Sequence, residues 1–303
     1  MSKVKVMKQK KIRIIGIQID LGQKQRGVNM GPSAIRYAGL SKKLKRLGFE
    51  LHDSGNLFVP VRDSLDDEVQ EHFLHSIQQV CQATYEAGKQ AVEEGYIPLF
   101  LGGDHSLAIG TIGGVTHSKP SGVIWVDAHG DANTPESSPS GSIHGMPVAA
   151  LLGEGYPELV NVGRAGAKIS GKDMVMIGIR DLDGKEREWL RKSGIRVYTM
   201  RELDERGMSI IIREALQILE HCDRLHVSLD MDSLDPNVAP GVGTPSPGGL
   251  SYREAQLLME IIADSGKLAS ADLVEINPIL DHGNSTAEIA VELIASLFGK
   301  SIL

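Results

Sequence analysis

Short, nearly continuous apolar runs alternate along this chain with longer stretches whose apolar positions recur at helical spacing. A short apolar run bounded by turn residues reads as a strand buried on both faces, and the longer periodic stretches read as amphipathic helices. Strands are predicted at residues 11–19, 50–53, 96–101, 122–126, 173–179, 195–199, 224–229 and 268–275. Helices are predicted over 31–47, with Pro32 in the first turn, and over a long amphipathic stretch that follows the polar, acidic segment 62–71 and ends near 94. Further helices are predicted over 106–117, 144–152, 186–192, 209–221, from 251 onward and over 285–298. About eight strands alternating with helices through short connections imply a mostly parallel sheet covered on both faces. No internal repeat, low-complexity block or long linker divides the pattern, so one domain over 1–303 is expected. In such sheets the functional site lies beyond the carboxyl ends of the strands.

Composition narrows the class. Lys and Arg total 32 against 39 Asp and Glu, a formal net charge of −7, which gives no reason to expect a nucleic-acid partner. The basic start, 3–11, lacks the apolar core of a secretory signal, and no apolar run approaches the ~18 residues of a membrane helix. Cys81 and Cys222 are the only cysteines and form no Cys-x-x-Cys pair, so neither a disulfide nor a thiolate zinc site is implied. A cytoplasmic enzyme is the expectation.

The chemistry concentrates where strands end. After the apolar run 122–126 come Asp127, His129 and Asp131, which would share one side if the chain stayed extended and draw closer if it curled. Carboxylates with imidazole at this spacing suit a divalent ion such as manganese or zinc. His105 follows Gly102 and Gly103 after the strand 96–101, at the same expected rim. Asp230 and Asp232 repeat the alternating acids after another strand, whereas Asp235 beside Pro236 reads as a turn. Adjacent carboxylates repel unless a cation lies between them. Two histidines and four aspartates are too many anions for one ion and suit two, with a carboxylate bridging; such a pair can make hydroxide at neutral pH. Glu275, at the end of the last strand, could pair with a cationic substrate head. His144 has no ligand spacing and suits proton transfer. Two look-alikes fail: Ile294 stands where a P-loop ending at Gly299, Lys300 and Ser301 needs its first glycine, and Ser246 stands where a dinucleotide fingerprint starting at Gly241 needs its third.

These motifs together resemble the ureohydrolase family, and within it the arginases. The resemblance runs from Gly27–Arg36 through Gly102–Ser106, Asp127–Asp131 and Ser228–Pro236 to Val274–Pro278, nearly the whole chain. It implies a three-layer αβα sandwich on an eight-stranded, mostly parallel sheet, and two Mn2+ per subunit. The family's ligand pattern falls on His105, Asp127, Asp131 and Asp232 for one ion, and on Asp127, His129, Asp230 and Asp232 for the other. The loop carrying Asn133, Ser138 and Ser140 would hold a substrate α-carboxylate, and Asp183 its α-amino group. Ser142 stands where arginases usually carry Asn, keeping a donor of shorter reach. The implied reaction is hydrolysis of L-arginine to L-ornithine and urea by a metal-bridging hydroxide. Asp131 would carry the proton to the leaving amine and His144 would shuttle. Glu275 would hold the guanidinium, and Thr244 would contact the substrate's distal end. A homotrimer or homohexamer is implied by the family. The alternatives are a relative acting on agmatine, which has no carboxylate to bind, a one-metal deacetylase, and a metal-stabilised regulator without activity.

Overall fold

The computed structural model describes residues 10–65 and 72–301. The basic start up to residue 9 and the acidic end, 66–71, of the predicted polar segment therefore lie outside the described residues. Eight strands form one sheet: β1 (Lys11–Gly16), β2 (Glu50–Asn56), β3 (Ile97–Leu101), β4 (Gly122–Val126), β5 (Met174–Ile179), β6 (Arg196–Thr199), β7 (Leu225–Asp230) and β8 (Leu268–Val274). Their spatial order is β2-β1-β3-β8-β7-β4-β5-β6, and every neighbouring pair is parallel.

The helices are α1 (Gly31–Tyr37), α2 (Leu40–Arg46), α3 (Leu74–Glu93), α4 (Ala108–Val115), α5 (Pro147–Leu151) and α6 (Pro157–Val160), then α7 (Gly184–Leu190), α8 (Met200–Arg206), α9 (Met208–Ile218), α10 (Tyr252–Asp264) and α11 (Ser285–Leu297). Strand side chains alternate between two apolar layers. Ile124, Val126, Val175 and Ile177 pack with α1, α2 and α8–α11, while Val123, Trp125, Met174 and Met176 pack with α4, α5 and α7. Ile15 and Phe100 face the second side as well, against α3 and α6. Both faces of β3, β4 and β5 are buried, which is why their sequences read as nearly unbroken apolar runs, while β7 and β8 are as buried but include His226, Ser228, Ser270 and Asp272.

Two departures from the sequence reading have local causes. The single helix expected over 31–47 is two, α1 and α2, because Gly39 takes a left-handed φ of 90° between them. The helix α8 was not expected: its capping box, Thr199 with Glu202, starts it immediately after β6, and Gly207 (φ 82°) separates it from α9. Regular pairing in β1 stops at Gly16, but the carbonyls of Ile17 and Ile19 go on to accept from Gly103 and Asp104. That close approach requires glycine, since a β-carbon on Gly103 would lie 1.7 Å from the Ile19 oxygen.

Candidate active site

The strand ends that carry the chemistry come third, fourth, seventh and eighth in the chain, yet β3, β8, β7 and β4 are consecutive in the sheet. Their carboxyl ends therefore form one contiguous rim. His105 opens a short 3-10 turn after β3, Asp127–Asp131 follow β4, Asp230 ends β7 with Asp232 in the turn beyond, and Glu275 follows β8. The chain does not stay extended after β4. Asp131 has φ 46° and Glu275 φ 63°, left-handed conformations that cost about 1–3 kcal/mol each in a non-glycine residue and cluster at functional sites.

His105 is fully buried and stacks flat on Trp125, ring centroids 3.9 Å apart. A hydrogen-bond chain fixes its tautomer. Ser228 Oγ donates its proton to Asp272 Oδ1 at 2.5 Å, so Ser228 Oγ accepts from His105 Nε2–H at 2.8 Å. Asp272 Oδ2 is held in turn by the Thr111 hydroxyl (2.6 Å) and by His226 Nε2 (2.9 Å). The other ring nitrogen, Nδ1, is left as a lone pair. It stands 3.2 Å from Asp127 Oδ2, 3.1 Å from Asp131 Oδ2 and 3.1 Å from Asp230 Oδ2, and has no hydrogen-bond partner.

A second group adjoins the first. His129 Nδ1 lies 3.0 Å from Asp232 Oδ2 and 3.5 Å from Asp127 Oδ1. Asp127 belongs to both groups and is oriented from outside, accepting from Trp125 Nε1 (2.9 Å) and from the His129 backbone N–H (2.7 Å). The donor set calls for positive charge. Burial raises the carboxyl of Asp230, and the neighbouring charges of Asp232 and Asp127 raise it further. Burial disfavours a proton on His105, yet the surrounding carboxylates more than reverse this. Converging carboxylate oxygens and an imidazole lone pair without a hydrogen-bond partner are what a divalent cation satisfies. Among the described residues, His105–Asp127–Asp230 and Asp127–His129–Asp232 are thus two groups able to hold a metal. The side-chain grouping differs from the expected partition: Asp230 rather than Asp232 stands beside His105, because Asp230 ends β7, whose Ser228 bonds the His105 ring, while Asp232 is carried round the turn towards His129.

The cluster forms the floor of a cavity of about 240 Å³. Its walls bring together Asn133, Ser138, Ser140, Ser142, His144, Asp183 and Thr244. Asn133 Nδ2 donates to Asp183 Oδ2 at 3.0 Å, and Ser137 Oγ donates to Asn133 Oδ1 at 2.8 Å. Ser140 Oγ accepts from the Ser142 backbone N–H at 3.1 Å, which folds the loop back on itself. Thr244 Oγ1 donates to Asp232 Oδ2 at 3.0 Å, placing it at the metal-binding end of the cavity. Asp235 stays outside the cluster and accepts from the Gly248 and Gly249 amides, as a turn residue does.

Glu275 is buried behind the wall. Its Oε1 accepts from the His105 backbone N–H (3.0 Å) and faces His144 Nδ1 (3.2 Å), while Oε2 accepts from Gln23 Nε2 (2.7 Å). Burial works against charge on His144, but the Glu275 carboxylate prevails and pushes its pKa up to about 9.

Several contributors escaped the sequence reading. Glu186 lines the cavity, caps α7 together with Asp183, and is pushed up to about 7 by burial. Arg180 spends its guanidinium on backbone carbonyls, Asp232 and Ser246 at 2.7 Å each, and so clamps the loop carrying Asp232 and Thr244. Ser228, His226 and Asp272 are polar positions inside strands buried on both faces, a signal that could have found them.

Fold and site together define a class: an α/β protein with a candidate metal centre at the carboxyl rim of a parallel sheet, roofed by a polar cavity. The description "Arginase family" matches residues 10–299. The chain is 50% identical over 296 residues to the arginase of Bacillus subtilis (strain 168), covering 97% of this chain and 99% of the relative. It is 48% identical to the arginase of Bacillus caldovelox over 299 residues, with 97% and 100% covered. The native structure of the Bacillus caldovelox arginase at pH 5.6 superimposes with a TM-score of 0.94 at 47% identity, covering 97% of this chain and 100% of that one. The chain belongs to the arginase family.

Proposed function

We propose that the protein hydrolyses L-arginine to L-ornithine and urea, and that the whole chain, 1–303, works as one catalytic domain. The observation that carries this reading is a single cavity with two chemically different ends. At one end His129, Asp131, Asp230 and Asp232 line the cavity, with His105 and Asp127 buried beneath them; the lining also presents the amide and hydroxyls of Asn133, Ser138, Ser140 and Ser142 beside the Asp183 carboxylate. Neutral donors paired with one carboxylate match the α-carboxylate and α-ammonium of an amino acid.

His105, Asp127, Asp131 and Asp230 would hold one Mn2+, and Asp127, His129 and Asp232 the other, a hard, oxygen-rich set suited to manganese. When bound, the ions supply the Lewis acidity that makes hydroxide available at neutral pH against a resonance-stabilised, poorly electrophilic guanidinium. Glu275 supplies negative charge behind the guanidinium, and Thr244 contacts that same distal end of the substrate. Asp131 turns Oδ2 to His105, which leaves Oδ1 to take the nucleophile's proton and pass it to the leaving amine. His144 is anchored through Nδ1 by Glu275, so its Nε2 exchanges protons with the cavity. The anchoring loop fixes the reacting carbon relative to these groups.

The two free thiols support a reducing, cytoplasmic setting. Among the described residues no helix is long and apolar enough to cross a membrane. A homotrimer or homohexamer is the assembly we propose, supported by Phe58 and Val61, whose side chains a monomer leaves largely in water.

The test is urea release from L-arginine and from agmatine, side by side, with manganese and after chelation. The expected result is manganese-dependent turnover with kcat/KM for arginine at least ~10³-fold above agmatine, because a site built to bind a polar head rejects the analogue that lacks it. Preferred turnover of agmatine would refute the assignment of the Asn133–Ser142 loop. A further outcome is expected of Ser228→Ala. Losing the acceptor that fixes the His105 tautomer is expected to weaken manganese binding by ~10–100-fold, read by chelator competition. Unchanged affinity would show that the Asp272 chain does not act on the metal.

A further inference from the structure

At the opposite, amino-terminal rim of the sheet, one more set of metal-ligating side chains converges among the described residues: Asp173, His221 and Cys222. Asp173 immediately precedes β5, and the other two lie in the turn between α9 and β7. Cys222 packs at the start of β4, where a β-carbon on Gly122 would stand 3.3 Å from its own. The length of β4 separates this place from Asp127 by roughly 16 Å.

The His221 ring is set up as a donor. Its Nδ1 lies 3.1 Å from the Ile218 carbonyl, which can only accept, so Nδ1 carries a proton. The Nε2 lone pair then faces Asp173 Oδ1, a second acceptor, at 2.7 Å. Two acceptors at that distance repel unless a further proton or a cation joins them. Nδ1–H on a backbone carbonyl is also the usual outer contact of a metal-bound histidine. The Cys222 sulfur is the third donor, and the three ligand atoms all lie within 4.8 Å of one another. Lys267 Nζ donates to the Glu220 and Cys222 carbonyls (3.1 and 2.9 Å) and pins the turn that presents the pair. Cys222 is buried, but the His221 and Asp173 side chains are 46% and 24% exposed, which leaves an entry path.

We propose that Asp173, His221 and Cys222 bind a single borderline-soft divalent cation of the zinc class, with water completing a tetrahedron. Sulfur, nitrogen and oxygen donors select zinc over the harder ions that suit the carboxylate-rich cluster at the other rim. Binding displaces the thiol proton to solvent and ties the α9–β7 turn to the entry of β5. The proposal is independent of the reaction assigned to the cavity.

Cobalt is the probe. Manganese-saturated full-length protein is titrated with Co2+ while the thiolate-to-cobalt charge-transfer absorption is followed. Cobalt exchanging into the other rim is expected to give no such band, since neither ligand group there contains a cysteine and the Cys81 thiol donates to the Ser106 carbonyl. The band is expected to saturate at one equivalent, to be abolished by one equivalent of Zn2+, to vanish in Cys222→Ser and to persist in Cys81→Ser. The exposed His221→Gln is expected to weaken cobalt binding by about tenfold or more. Zinc is expected to raise the Tm of the parent protein and not that of Cys222→Ser. Absence of the band, or its persistence in Cys222→Ser, would overturn the proposal and leave a His–Asp pair beside an ordinary buried thiol.

Discussion

Asp127→Ala is expected to lose bound manganese and urea release together, with activity falling by more than the ~100-fold typical of outer-contact losses. The expectation follows from the position of its two oxygens. Oδ2 faces His105 Nδ1 at 3.2 Å and Oδ1 faces His129 Nδ1 at 3.5 Å, so one carboxylate serves both groups. Neither group has a spare member to replace it among its three residues. The truncation also strands the Trp125 indole N–H, a buried donor whose loss of partner costs about 1–3 kcal/mol. Asp127→Asn keeps an oxygen for that indole, so it separates a metal defect from a folding defect. Metal content by elemental analysis, urea assays across manganese concentration and a thermal unfolding curve decide the matter. Parent-level activity of Asp127→Ala at trace manganese would sink the two-metal reading.

His144→Ala is expected to do the opposite to the metal and something similar to the rate. Both ions stay, KM for arginine changes little, and kcat falls by about 10²-fold, the scale of a lost proton-transfer group. His144 belongs to neither ligand group, lines the cavity, and is tied through Nδ1 to Glu275. Its truncation therefore removes a proton carrier while leaving the converging oxygens in place. Added imidazole is expected to restore part of the rate. Loss of metal alongside the rate would move His144 into the ligand set, and an unchanged kcat would remove it from the reaction.

Asp127 stands out in the sequence because it ends an apolar run, whereas His144 stands out only as a histidine beyond the loop without ligand spacing. Asp127, His129 and Asp131 follow Gly122–Val126 with nothing between, and His105 follows a pair of glycines. The apolar runs also mark β3, β4 and β5, whose residues are buried on both faces, whereas β7 and β8 carry the buried polar residues His226, Ser228, Ser270 and Asp272 inside the run. Helix breaks were less legible. Whether Gly39 ends a helix depends on the left-handed φ it takes there, and a glycine alone does not announce that.

The sequence by itself determined the strand–helix alternation, the polar residues available at each strand end, and the composition of the substrate loop, because each depends on neighbours along the chain. Tertiary structure alone decided what those residues meet. Strands β3, β8, β7 and β4 become neighbours only through the crossovers of the sheet, and this brings His105 to Asp230 rather than Asp232. The same assembly sets Ser228 against Asp272, two buried polar residues 44 positions apart, and so fixes which nitrogen of His105 keeps its lone pair. Side-chain direction beyond a strand end turns on single angles such as the left-handed φ of 46° at Asp131, which the residue pattern along the chain does not record.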